Sequence, residues 1–159
     1  MSSLVGVSVL DTYSPSAITQ GKGFGLGDFH RADDGKAYVY VQASAAIAAN
    51  DVAFFTGAYA ATALSTSNDA RGNKVGVAPV AFAANEFGWL QVDGAASVNV
   101  LANAAANARL NTTATAGKLD DDGTVGAMQV QGVYLTSANG AGTNATAAVL
   151  NNPFIDVTL

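Results

Sequence analysis

A glycine-rich stretch near the start of the chain is the first feature that could do chemistry, because glycine-rich loops can cradle phosphate groups. It reads Gly21-Lys22-Gly23-Phe24-Gly25-Leu26-Gly27. A dinucleotide loop needs the pattern GxGxxG between a strand and a helix, and a P-loop needs GxxxxGK followed by Ser or Thr. Neither pattern is present. The glycines therefore indicate a flexible segment, and we expect no nucleotide or other cofactor.

His30 is the only histidine, and hence the only candidate for a histidine general base. A Ser-His-Asp assembly on a hydrolase fold would also need a serine on a Gly-x-Ser-x-Gly elbow, and the sequence has no such elbow. A solvated or contact-forming histidine is the simpler interpretation. We therefore expect no catalytic residue, and the chain is predicted not to be an enzyme.

The densest acidic cluster, Asp120-Asp121-Asp122-Gly123, could bind calcium through its carboxylates. It lacks the alternating spacing and the distal glutamate of a calcium loop, which favours a solvated turn. The chain has no cysteine, so disulfides and thiolate metal sites are excluded. We expect no bound metal.

Tyr38 and Tyr40 share one face of a predicted strand, with Val39 and Val41 on the other face. Two tyrosines in this arrangement could stack against a carbohydrate. Tyrosine is also common in cores and at half-buried subunit interfaces, and we favour that interpretation.

The composition predicts a mostly neutral surface. The 159 residues are 50% hydrophobic and 12% charged, about half the charged fraction of a typical soluble domain, and the net charge is −5. The few Lys and Arg residues are scattered, which argues against nucleic acid as a partner. A neutral surface can be covered by copies of the chain or by a partner lattice. The sequence shows no signal-peptide pattern and no apolar run of membrane length, so we expect neither export by that route nor a membrane partner.

Strand-like segments follow one another at short intervals and are bounded by Gly, Asn or Asp turn residues. They are 37–43, 52–56, 59–64, 74–82, 87–92, 97–101, 126–136, 145–150 and 154–159. Pro79 cannot donate to a sheet, which predicts an edge strand or a bulge in its segment. The rhythm predicts a compact all-β fold, either a β-barrel or a jelly-roll-like β-sandwich, with residues 34–159 as a single domain.

Three Ala-Ala-Asn triplets each precede an apolar run, and they end at Asn50, Asn85 and Asn107. Asparagine tolerates left-handed backbone geometry and bonds its own backbone in Asx turns. Each triplet is therefore predicted to form a tight turn at the entry to a strand. Their uneven spacing excludes a regular solenoid.

Residues 1–33 differ from the rest and are predicted to form an extended, glycine-rich N-terminal arm. The arm begins with one apolar run, Leu4 to Leu10, and ends in the glycine-rich stretch described above. Four glycines among the seven positions from Gly21 to Gly27 would not sustain a helix there.

A series of short motifs runs through the second half of the chain. They are Val75-Gly76-Val77-Ala78, Gly88-Trp89-Leu90-Gln91-Val92-Asp93-Gly94, Ala114-Thr115-Ala116-Gly117 and Gly132-Val133-Tyr134. Over residues 74–150 the chain resembles the small decoration, or cement, proteins of tailed-phage heads, in which such motifs recur in this order.

This resemblance implies a compact β-barrel or sandwich that assembles as a homotrimer and binds the major capsid protein. The trimer would sit on the outer surface of the virion head and stabilise it, after assembly in the cytoplasm of the host bacterium. The family has no catalytic residues to transfer. Trp89 would anchor the core, and Gly94 and Gly117 would be turn positions.

The apolar run of the arm lies outside the region of resemblance, and we expect it to contact the capsid or a neighbouring subunit. The candidate contact residues are Leu4, Val5, Val7, Val9, Leu10, Tyr13, Phe24, Leu26 and Phe29. The alternative is that the run completes the barrel of its own subunit. Two other functions stay open for the chain: a tail or head fibre module that binds a host surface glycan, and a hydrolase.

Overall fold

The computed structural model describes residues 7–158, and nearly all of their regular structure is β. The strands are β1 (Phe29–Arg31), β2 (Ala37–Ala43), β3 (Val52–Phe55), β4 (Ala60–Ala63), β5 (Lys74–Val77), β6 (Phe87–Val100), β7 (Leu110–Thr112), β8 (Leu119–Asp120), β9 (Met128–Leu135) and β10 (Asn144–Thr158). One short helix, α1 (Pro15–Thr19), precedes them. The predicted compact all-β fold is confirmed.

The strands belong to one mixed sheet whose pairings close on themselves. One closed ring of pairings joins β2, β4, β3, β5 and β6, and a second ring joins β6, β10, β9, β7 and β8. Most pairs are antiparallel, whereas β2–β4 and β6–β8 are parallel. Strand β6 belongs to both rings and connects them. The sequence predicted either a β-barrel or a β-sandwich. Of these two architectures, the barrel is the one in which a single sheet closes on itself.

The two longest strands, β6 and β10, pair antiparallel from Asn144↔Val100 to Asn151↔Asp93. The sequence predicted two shorter segments in place of each. Gly94 has a φ of 87° but lies inside β6, and Asn152, with a φ of 44°, lies inside β10. The predicted breaks at these positions are wrong, because cross-strand pairing carries the chain through both irregularities.

Two clusters of buried hydrophobic side chains form most of the core. One draws on β2, β3, β4 and the first half of β6, and it includes Val41 and Leu90. The other draws on β5, the second half of β6 and β7 to β10, and it includes Val100, Leu135 and Ile155. Burial of each such side chain contributes about 1.5–3 kcal/mol to stability.

A third buried cluster, here called the aromatic cluster, consists of Tyr38, Tyr40 and Trp89. Tyr40 and Trp89 have no exposed surface, and Tyr38 is 5% exposed. The tyrosines lie on the face of β2 opposite Val39 and Val41, as the alternation predicted. Because their rings are buried in the core, the alternative of an exposed carbohydrate platform at these tyrosines is wrong.

The predicted asparagine turns are confirmed. Asn50, Asn85 and Asn107 have φ values of 63°, 66° and 59°. The first two turns also contact each other, because Ile47 and Phe82, each three residues before the asparagine of its turn, form an antiparallel bridge. In each of these two turns the acidic residue that follows the asparagine accepts a hydrogen bond from a backbone N–H of the turn.

The shortest elements were not predicted. Helix α1 starts at Pro15, and the side chain of Ser14 caps it by accepting a hydrogen bond from the N–H of Ala17. Strands β1, β7 and β8 have too few residues to show a periodic pattern. The predicted continuation of β5 to Phe82 is also wrong, since the strand ends at Val77, just before the Pro79 that cannot donate to a ladder.

Candidate assembly surfaces

The described part of the predicted arm, residues 7–33, packs on its own subunit. Tyr13 bridges Phe87 at the start of β6, with N···O distances of 2.8 and 2.9 Å. Phe24 lies over the aromatic cluster, with its ring centroid 5.5 Å from that of Tyr40 and 5.1 Å from that of Trp89. Strand β1 then joins the sheet beside β2. These contacts cover the side of β2 and β6 that carries Trp89.

The predicted contact residues fall into three groups. Leu4 and Val5 lie outside the described residues. Four are partly buried against the aromatic cluster, namely Val7, Val9, Tyr13 and Phe24. Three are exposed, namely Leu10 at 60%, Leu26 at 44% and Phe29 at 50%. Of the nine predicted contact residues, these three exposed side chains are therefore the ones that the described surface offers to a partner.

A patch of uncharged side chains covers the outer side of β6, β10 and β9, where these strands run next to one another. We call it the neutral face; its residues, all exposed, are Ala95, Ser97, Tyr134, Thr136, Ala147 and Val149. The sheet register brings them together, since Ala147 is opposite Ser97 and Val149 is opposite both Ala95 and Tyr134. The backbone N–H of Thr136 donates to the carbonyl of Ala147 at 2.9 Å and extends the patch beyond the end of β9.

The alternation of side chains along β10 creates this face. Ala148 and Leu150 are buried in the core, while Ala147 and Val149 are exposed on the other side. Tyr134 and Val149, which are 49% and 40% exposed, form the apolar centre of the patch. A partner surface that covers these residues would desolvate no charge and would gain about 25 cal/mol for each Å² of apolar area buried. Such a surface is suited to association.

An apolar groove of about 490 Å³ lies between β1 and the distal part of β10. Its aromatic lining residues are Phe29, Phe55, Tyr59 and Phe154. Phe55 and Tyr59 stack with their ring centroids 6.2 Å apart. Phe29 and Phe154 remain 50% and 42% exposed. The groove thus places Phe29, a predicted contact residue, near an exposed aromatic ring from the other end of the chain.

The acidic cluster at residues 120–122 is engaged in local hydrogen bonds. The carboxylate of Asp121 accepts from the N–H of Ala105, and that of Asp120 accepts from the N–H of Asp121, each at 3.0 Å. Burial raises the pKa of the Asp120 carboxyl, and the neighbouring carboxylates also raise it. Among residues 7–158, no group of three or more His, Cys, Asp or Glu side chains is arranged to hold a metal ion.

His30 lies in β1 opposite Tyr38, and its ring centroid is 6.0 Å from that of Trp89. It is partly buried rather than fully solvated. The histidine therefore packs at the edge of the aromatic cluster.

Sequence reasoning missed the neutral face. Part of the signal was present, since no residue from Ala145 to Leu150 is charged. The sequence could not show which strands lie beside this one, because the register of nonlocal pairing decides which residues meet on one surface.

No protein-family model matches the chain, and no curated protein sequence matches it either. Within residues 7–158, no helix is long and apolar enough to cross a membrane.

Proposed function

We propose that this chain is a structural virion protein that binds the outer surface of a phage head and stabilises the head lattice. The neutral face carries the proposal, because a contiguous exposed patch without charge is suited to burial against other subunits of an assembly. The order of short motifs over residues 74–150, which resembles that of head decoration proteins, supports it separately.

In this proposal three copies associate in a ring. A cyclic trimer uses head-to-tail contacts, so each copy needs two different surfaces that fit each other. The neutral face, centred on Tyr134 and Val149, is one of them. The rim of the groove, with exposed Phe29 and Phe154, is the second, because it offers aromatic side chains to a flat apolar patch.

The N-terminal residues attach the trimer to the major capsid protein. Leu4 and Val5 precede the described part of the chain, and Leu10 is exposed where that part begins. A short apolar segment can add to the edge of another protein's sheet or occupy a groove on it. Each such contact is small, but three of them in one trimer act together and raise the overall affinity.

Sedimentation with phage heads tests the proposal. The full chain should pellet with assembled heads of the phage that encodes it and should not bind free capsid subunits. A variant that lacks residues 2–6 keeps every described contact, so it should retain its oligomeric mass and lose binding to heads. Failure of the full chain to bind heads would overturn the proposal, and binding to a host surface glycan instead would indicate a fibre module.

A further inference from the structure

A buried polar cluster lies apart from the surfaces described above. It consists of Asp51 just before β3, Asn99 near the end of β6 and Lys118 just before β8. Asp51 is 5% exposed, and its Oδ1 forms an ion pair with Nζ of Lys118. The same Oδ1 accepts a hydrogen bond from Nδ2 of Asn99 at 2.7 Å. One carboxylate oxygen therefore holds the lysine amine and the asparagine amide side by side.

Backbone hydrogen bonds fix the relative positions of the three residues. The N–H of Asn99 donates to the carbonyl of Asn50 at 2.9 Å, and the N–H of Val52 donates to the carbonyl of Gly117 at 2.9 Å. The residues on either side of Asp51 are thus tied to Asn99 and to the neighbour of Lys118. Nδ2 of Asn99 also donates to the carbonyl of Ala49 at 2.9 Å, which fixes the orientation of the amide.

Gly117 makes room for this arrangement. Its φ is 78°, and a Cβ at this position would overlap the carboxylate of Asp51. Glycine lets the chain turn closely past Asp51 so that the next residue, Lys118, can place its amine on that carboxylate. The glycine of the Ala114-Thr115-Ala116-Gly117 motif is therefore needed for the polar cluster as well as for the turn.

We propose that Lys118 and Asn99 join in an intramolecular amide bond, with Asp51 as the catalytic residue that moves the protons. A lysine amine is a nucleophile once an adjacent base has removed its proton, and a carboxylate in direct contact can be that base. The side chain of Lys118 is 18% exposed and that of Asp51 is 8% exposed, so little water competes for either group. Fixed neighbours of this kind react as if at very high concentration.

The reaction balances without a further reagent. Asp51 takes a proton from the ammonium group of Lys118, and the free Nζ attacks Cγ of Asn99. The new Nζ–Cγ bond forms, and the Cγ–Nδ2 bond then breaks with its electron pair moving to nitrogen. Asp51 returns its proton to Nδ2, and the second proton released from Nζ also goes to the departing group, which leaves as ammonium. Asp51 ends as a carboxylate, and no atom changes its oxidation state.

The product would tie β6 covalently to the loop that enters β8. Strands β6 and β8 share a single register pair, Val100↔Leu119, so this is a weakly paired place in the sheet. A covalent bond here would reinforce the closure of the second ring of strands in a chain that has no cysteine to form a disulfide. This inference does not depend on the proposed role in phage heads.

Intact-mass measurement of the purified, denatured full chain tests the inference. The mass should be lower than the sequence mass by one ammonia molecule, and a digest should contain a branched peptide that joins the segments of Asn99 and Lys118. Lys118→Arg keeps the positive charge beside Asp51 but should restore the full mass. Asp51→Asn keeps both reacting groups and should also restore it. Lys36→Arg, at an ion pair with Asp34 outside the polar cluster, is the matched control and should retain the loss.

Circular dichroism should show that Asp51→Asn is folded, because a variant that does not fold would keep the full mass whatever the role of Asp51. An unchanged mass in the parent protein would overturn the inference, and so would loss of water through a bond between Lys118 and Asp51. Loss of ammonia that persists in Lys118→Arg would overturn it as well. That result would indicate a cyclic imide, for which Asn139-Gly140 is the natural site.

Discussion

Tyr40 and Trp89 are register partners on β2 and β6, and their rings meet edge to face with centroids 5.0 Å apart. Neither residue has exposed surface. Phe24 from the N-terminal segment packs against both rings. The Tyr40–Trp89 pair therefore links the N-terminal segment to β6, the strand that belongs to both closed rings of strand pairings.

Replacement of Trp89 by alanine should lower the free energy of unfolding by about 3–5 kcal/mol, because it leaves a cavity between buried aromatic rings. Denaturant unfolding followed by circular dichroism measures the loss. Trp89→Phe keeps most of the ring volume and should cost less. Since Trp89 is the only tryptophan, tryptophan fluorescence reports on it alone, and emission at the wavelength of a water-exposed indole would contradict its burial.

Tyr40 should make the protein less stable at high pH. Burial raises the pKa of its phenol to about 12, whereas a tyrosine in the unfolded chain has a pKa of about 10. As the pH rises through this window, the unfolded chain loses the proton while the folded chain keeps it, so the free energy of unfolding falls. Burial also raises the pKa of Tyr38, which acts in the same direction.

The measurement is the free energy of unfolding in urea at a series of pH values. Tyr40→Phe should flatten the decline above pH 10. If the free energy of unfolding falls equally steeply with pH in Tyr40→Phe and in the parent protein, Tyr40 is not the source of the decline.

Local features of the fold could be predicted from the sequence. Strand β2 has the predicted bounds, since the run Tyr38-Val39-Tyr40-Val41 consists of aromatic and β-branched residues that favour strands. The turns at Asn50 and Asn85 were predictable because asparagine adopts left-handed geometry more readily than most residues, whatever its distant partners.

Features that depend on distant pairing could not be predicted. Gly94 gives the same local signal whether it ends a strand or bends one, and only the pairing of β6 with β10 decides between them. The neutral face and the contacts among Asp51, Asn99 and Lys118 also depend on which segments meet in space. Sequence spacing alone does not contain that information.

Asn85→Ala should destabilise the protein by about 1–2 kcal/mol, because alanine has no compensation for the left-handed geometry at a φ of 66°. Asn85→Gly should be close to neutral, since glycine adopts positive φ readily. Thermal and denaturant unfolding of the two variants give the comparison. If alanine is tolerated as well as glycine, the turn does not require the left-handed conformation.

Deletion of residues 2–27 should destabilise the fold, because it removes the Tyr13 bridge to Phe87 and the Phe24 ring over Trp89. The emission of Trp89 should move to longer wavelength as its cover is lost. Deletion of residues 2–6 is the matched control and should leave the emission unchanged. A native-like emission after the longer deletion would mean that the N-terminal segment does not protect the aromatic cluster.

Val149→Lys should convert the proposed trimer to monomers without unfolding the subunit. Val149 is opposite both Ala95 and Tyr134 at the centre of the neutral face, and in the proposed trimer a lysine there would have to lose its water shell against an apolar surface. The same change at Val125, a fully exposed position outside the neutral face, adds the same charge to the chain and should leave the proposed trimer intact. Mass measurement in solution at micromolar concentration, with circular dichroism to verify folding, distinguishes the two. A parent protein that is already monomeric, or a Val149→Lys variant that stays trimeric, would mean that the neutral face does not hold subunits together.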